Sequence, residues 1–175
     1  NSILLNSNLV SKVYFPRLLM PLSSVAVGFV DFLISLSIFI ILTIYYQYPL
    51  SGNIVYLPVF IILTFIAALG FGLFFAVLNV RFRDIGQLVP FMVQVGTWAC
   101  PISYSSSLAK GTWFESYYYM NPLVGIIDGF RWCLLGDKAN FDPSSMASTT
   151  LISVIVLVLS LIFFRKKEKT FVDHI

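Results

Sequence analysis

Two uninterrupted apolar stretches constrain this chain more than any other feature. Residues 22–46 hold one charged side chain, Asp31, and residues 54–78 hold none. At the rise of an α-helix, 25 residues reach roughly 37 Å, enough to cross a hydrocarbon core of about 30 Å with some tilt. Residues 87–104 form a shorter uncharged run interrupted by Pro90 and Pro101, and residues 147–164 form another without a charge. Four spans at these bounds are expected, the third of them distorted by its prolines. The expected fold class is therefore all-α: a single membrane domain over 1–175, built as a bundle of about four transmembrane helices with a basic tail at 165–175.

Composition narrows the function classes. The chain is 58% hydrophobic and 11% charged, with a mean hydropathy of +0.89, whereas soluble domains carry about a quarter charged residues. This excludes a water-soluble enzyme and a disordered protein. A net charge of +3 is too small for a phosphate footprint, so no nucleic-acid partner is expected. The distribution of charge says more. Lys12, Arg17, Arg81, Arg83, Arg165, Lys166, Lys167 and Lys169 fall on one side of four spans, and Lys110, Arg131 and Lys138 on the other. The basic side faces the cytoplasm, so both ends of the chain are expected there. Tyr45, Tyr46 and Tyr48, with Trp113 and Tyr117 to Tyr119, then lie near the outer interface, where aromatic rings meet membrane lipids. The chain starts at Asn1 rather than Met, and its first segment is too polar for a signal peptide, so a piece of something longer is expected.

Two segments are not simple spans. In residues 1–21, Ser7 or Asn8 can cap a short helix that ends before Pro16. Its basic and aromatic residues fit either a contact with a soluble partner or a helix lying on the lipid surface. Residues 105–136 are too long for a turn and too broken for a span. Asn121 followed by Pro122 is a helix-start signal, and Gly136 suits the end of a helix over 123–135. Such a helix is too short to cross, so a re-entrant or surface helix is expected. Asp128 and Arg131, three residues apart, can pair on one face of it, as a structural contact or as part of a gate.

The spans carry faces. Ser24, Gly28, Asp31 and Ser35 share one side of the first, a pattern that allows close helix packing and hydrogen bonding in lipid. Asp31, the only acid within a span, marks either a functional site or a buried packing position. Ala68, Gly72 and Ala76 form a small-residue packing stripe on the second. Gln87, Pro90, Gln94, Thr97 and Pro101 form a polar face on the third, which needs a protein partner or a wet cavity. Trp98 beside it could meet either a sugar ring or lipid. The chain has no Walker motif, a single histidine (His174) and two cysteines without metal spacing, so no catalytic residue and no metal site are expected.

Together these segments resemble a family. Asn8-Leu-Val-Ser-Lys-Val-Tyr-Phe-Pro-Arg17, followed by Leu-Leu-Met-Pro21, looks like the cytoplasmic coupling segment of type 2 ABC permeases, closest to the exporters of O-antigen, capsule or teichoic acid. Asn79-Val-Arg-Phe-Arg-Asp-Ile85 is similar to that family's loop between its fourth and fifth spans. Asn121-Pro-Leu with Arg131 and Leu135-Gly136 resembles its outer gate helices. The ending from Phe164 to Ile175 resembles its basic tail, and Asp31-Phe32 fits the same pattern. The matches occur in order over nearly the whole chain.

The resemblance implies the last four spans of a six-span permease. It implies a homodimer with cytoplasmic ABC ATPase subunits, in a bacterial cytoplasmic membrane, exporting a lipid-linked glycan. ATP and Mg would sit on the partner ATPase, with no cofactor bound by this chain. Asn8, Leu9, Lys12, Val13, Tyr14, Phe15, Pro16 and Arg17 would couple to the ATPase, with Pro16 fixing the angle to the first span. Asp31, Gln87, Gln94, Thr97 and Trp98 would line the substrate path. Trp113, Tyr117, Tyr118, Asn121, Pro122, Asp128 and Arg131 would belong to the outer gate. The rival readings are an exporter of a small drug or lipid with the same architecture, and a membrane scaffold without a transport role.

Overall fold

The computed structural model describes residues 18–49, 51–82, 84–102, 120–136 and 141–168. The described residues form five α-helices and no strand: α1 (Leu19–Tyr45), α2 (Leu57–Arg81), α3 (Ile85–Ala99), α4 (Pro122–Leu135) and α5 (Pro143–Glu168). A 3-10 turn, Gly52–Tyr56, leads into α2. The chain is an all-α membrane protein. Three segments, Leu19–Tyr45, Gly52–Val80 and Pro143–Lys167, are long and apolar enough to cross a bilayer. The proline-bearing α3 has 15 residues, roughly 22 Å at helical rise, which is short of a full crossing.

Local sequence explains where the helices stop. α1 runs into Gln47 at φ 53°, the left-handed region. There the Tyr48 N–H donates to the Thr43 carbonyl and the Gln47 N–H to the Ile44 carbonyl, both at 3.0 Å. This is a Schellman ending, and Pro49 bars continuation. The 3-10 turn is capped by Ser51, whose hydroxyl accepts from the Asn53 N–H at 3.2 Å. Arg165, Lys166 and Lys167 occupy the last turn of α5, where cations meet the negative end of the helix dipole.

α2 is the centre of the bundle, and its most extensive contact is with α5. The two run parallel. Midway, a Cβ on Gly70 would stand 3.0 Å from the Leu157 backbone nitrogen and 3.2 Å from its Cα. The backbones approach there without a side chain between them. α5 meets this interface with a buried seam of Ser145, Thr149, Ser153 and Ser160, which recurs by four, four and seven. Small hydroxyl residues keep the helix thin enough for that approach. Below Gly70, Leu73, Val77 and Val80 of α2 close over Phe164 of α5 and Met20 of α1.

α1 lies antiparallel across the other side of α2. Its inward positions are Val25, Phe29, Phe32 and Leu36, and the Phe29 ring packs 4.8 Å from that of Phe65. Phe130 of α4 joins the helices, with its ring 5.7 Å from Phe32 and 6.0 Å from Phe60. Part of the aromatic content is therefore spent between helices rather than at an interface with lipid headgroups. Replacing Gly70 by valine should push α2 and α5 apart and cost about 1–3 kcal/mol, the scale of overpacking a close contact. Thermal unfolding of the purified protein in detergent measures it. Replacing Gln47 by glycine should raise stability by about 0.5–1 kcal/mol by removing left-handed strain, and an unchanged melting temperature would count against that assignment.

Candidate functional site: a groove between three helices and a half-length helix

α4 is a half-length helix that sits inside the bundle. Ile126 packs against Leu63 and Ala67, while Cys133, nearly two turns further along, packs against Leu57 and Phe60. α4 thus runs antiparallel to α2, from the interior toward the end of the bundle where α2 and α5 begin. α4 turns Val124, Gly125, Ile126, Gly129 and Cys133 toward the other helices and leaves Leu123 and Leu135 exposed. Gly125 and Gly129 make the fit possible. A Cβ on Gly125 would collide with the Thr149 hydroxyl, and one on Gly129 with the Phe60 ring. This pair at a spacing of four is a signal legible in the sequence and absent from the reading above, as is the Ser/Thr seam of α5.

The first N–H groups of α4 find their partners locally. Pro122 has none. Asn121 Oδ1 accepts from the Leu123 N–H at 3.0 Å, and the Asn121 carbonyl accepts from the Val124 N–H at 3.1 Å. Asn121 also donates from Nδ2 to Cys100 Sγ at 3.6 Å, reaching the end of α3. At the far end Gly136, φ 66°, closes the helix, and a Cβ there would press on Ser51. Asp128, 8% exposed, lies 3.6 Å from Arg131 in an i,i+3 ion pair. Arg131 further donates from Nη2 to the Ile102 carbonyl at 3.0 Å.

At the other end of the bundle α1, α2 and α3 enclose a cavity of about 400 Å³. Pro21, Ser24 and Val25 come from α1; Gly72, Phe75, Ala76 and Asn79 from α2; Gly86, Val89 and Pro90 from α3. The small-residue stripe of α2 has two roles here. Gly72 accepts Val25 so closely that a Cβ would be 2.8 Å from its Cγ2, while Ala76 floors the cavity and Ala68 stays exposed. Pro90 lacks an N–H, so the Gly86 carbonyl one turn back loses its helical donor.

Among the described residues, the small and polar face of α1 is not the face that packs. Ser24, Gly28, Asp31 and Ser35 point out of the chain, and nothing lies within 4 Å of a Cβ built on Gly28. The face that packs is one residue further on, because Phe29 and Phe32 fit against Phe65 and Phe130. The hydroxyls of Ser24 and Ser35 are spent within the helix, on the Met20 and Asp31 carbonyls at 3.2 and 2.9 Å. On α3, Gln87, Pro90, Gln94, Thr97 and Trp98 are exposed, but Pro101 is buried beyond the helix end and does not share their face. Of these two faces only Ser24 and Pro90 line the cavity. Asn8 to Arg17, Trp113, Tyr117 and Tyr118 lie outside the described residues.

A half-length helix packed among longer ones in an all-helical bundle describes a membrane domain. Residues 2–135 match the family model described as ABC-2 type transporter. The chain belongs to the ABC-2 type transporter family. Among curated proteins it is similar to two from Klebsiella pneumoniae, each called O-antigen export system permease protein RfbA, 27% identical over 98% of this chain. A protein of the same name from Myxococcus xanthus is 24% identical over 96% of it. The chain spans 66% of the length of the Klebsiella proteins and 65% of the Myxococcus one. As a member of the ABC-2 type family it is a multi-pass membrane protein of the transporter class, whose membrane subunits in general are not catalytic. Within this ABC-2 type domain, replacing Asn121 by alanine should destabilise the protein by about 1–2 kcal/mol through loss of its cap, and serine should retain most of it. Equal melting temperatures for the alanine variant and the parent would refute the capping role.

Proposed function

We propose that this chain is the membrane-spanning permease part of an ATP-driven exporter that moves a lipid-linked polysaccharide across the bacterial cytoplasmic membrane. The observation that carries it is the similarity, along nearly the whole chain, to proteins named O-antigen export permeases. Side-chain chemistry supports the reading. A carboxylate and several amides and hydroxyls face outward on membrane helices, which is costly unless they line a hydrated path or a protein interface. Asp31 on α1 and Gln87, Gln94 and Thr97 on α3 supply hydrogen bonds to sugar hydroxyls, and the exposed Trp98 indole gives a flat surface for the CH face of a sugar ring.

In this reading the permease works as a homodimer, and ATP with Mg is held by cytoplasmic ABC ATPase subunits rather than by this chain. Asn8 to Arg17 docks on the ATPase, and Pro16 sets the angle at which its movement enters α1. Both ends of the chain are cytoplasmic. The half-helix α4, with Asn121, Pro122, Asp128 and Arg131, and the segment holding Trp113, Tyr117 and Tyr118 form the outer gate.

Deleting the gene for the full-length permease should remove the polysaccharide from the cell surface and leave its lipid-linked precursor inside. Normal surface polymer in the deletion strain would overturn the assignment. In the complemented strain Asp31→Leu should cut export about tenfold, the effect of ~1.4 kcal/mol on a barrier, with insertion intact. Surface glycan read by gel or antibody, beside membrane content of the permease, distinguishes loss of transport from loss of protein.

A further inference from the structure

Among the described residues, the third helix is lightly anchored. No residue within α3 is buried, and α2 is the helix it packs on over several residues. A helix placed this way needs a fastening at its far end. The structure supplies one from α4. Just past the helix end, the Ile102 carbonyl accepts from Arg131 Nη2 at 3.0 Å, and Cys100 receives Asn121 Nδ2 at 3.6 Å. The Arg131 side chain leans back along α4 toward its N-terminus, as helical side chains do, and so spans the gap to α3.

We propose that Arg131 is a positioning residue that latches the C-terminal end of α3 onto α4, with Pro90 as the point about which α3 swings when the latch opens. The guanidinium is suited to the task because its planar fork serves two acceptors at once. Nη1 faces Asp128 at 3.6 Å while Nη2 holds the carbonyl. Asp128 is mostly buried and on the same helix, so it fixes where the fork points and keeps the cation compensated inside the bundle. Lysine has a single ammonium on a flexible stem and serves this pair of acceptors less well. Pro90 lies inside α3 and removes the backbone hydrogen bond to the Gly86 carbonyl, the ordinary cause of a helix bend. Opening the latch would therefore move Gln94, Thr97 and Trp98, which lie beyond Pro90, while Gln87 stays with α2. The consequence for export rests on the reading of α3 as a wall of the cargo path; the latch itself does not.

The chain carries two native reporters. Cys100, 3% exposed, is covered by the α3–α4 junction, and Cys133, 0% exposed, sits in the α2–α4 core. In the full-length permease, held in membranes with its ATPase subunit, the rate of N-ethylmaleimide addition to each cysteine is followed by mass spectrometry. Arg131→Met should speed alkylation of Cys100 about tenfold or more, the scale of losing one charge-assisted hydrogen bond in a local opening equilibrium. Arg131→Lys should fall between parent and methionine, and Cys133 should remain protected in both. The proposal is overturned if Cys100 in Arg131→Met reacts no faster than in the parent. It is also overturned if Cys133 opens together with Cys100, since Arg131 would then hold the bundle and not the junction. Faster alkylation of Cys100 with unchanged export leaves the latch standing and removes α3 from the cargo path.

Discussion

The close approach of α2 and α5 at Gly70 is the contact on which the rest of this bundle depends. In lipid, apolar side chains gain little by leaving their surroundings for one another, so association rests on shape and backbone proximity. The absence of a side chain at Gly70, matched by the hydroxyl seam of α5, supplies that proximity. The same device recurs where α4 enters, with Gly125 against Thr149 and Gly129 under the Phe60 ring. Three glycines thus determine how a half-length helix can be enclosed by two long ones. The packed face of α4 in turn sets where the Asp128–Arg131 pair stands: Asp128 is 8% exposed, while the Arg131 side chain keeps 28% of its surface open.

The opposite side of α2 follows another logic. There α1 and α3 are held by aromatic rings and helix ends, and of their outward polar faces only Ser24 and Pro90 line the cavity. One half of the molecule is closed by glycine contacts; the other leaves Asp31, Gln87 and Gln94 exposed, while the Ser24, Ser35 and Thr97 hydroxyls donate to carbonyls of their own helices.

Much of this was legible in the residues and part of it was not. The Asn121-Pro122 start and the Gly136 stop of α4 are local chemistry, and the helix forms between them as the sequence indicates. The i,i+3 spacing of Asp128 and Arg131 likewise foretold their pairing. The inward face of α1 was not legible, because small and polar residues at Ser24, Gly28, Asp31 and Ser35 satisfy the same pattern whether they pack within the chain or face out of it. Only the seating of Phe29 against Phe65 and of Phe32 against Phe130 decides which. Pro101 was placed with Gln87, Gln94 and Thr97 by counting along a helix that in fact ends at Ala99.

The sequence by itself determined that this is an all-helical membrane protein, which segments are apolar enough to cross, where α4 is capped, and which residues are polar on each helix. Each of those properties is set by residues within a few positions of one another. The tertiary structure alone decided that α2 and α5 lie side by side in parallel, that α4 packs against both of them, and that Arg131 reaches Ile102. Those contacts join residues far apart in the chain. A uniformly apolar helix surface carries no pattern that names its neighbour, so only the fit of glycine, hydroxyl and aromatic shapes could choose it.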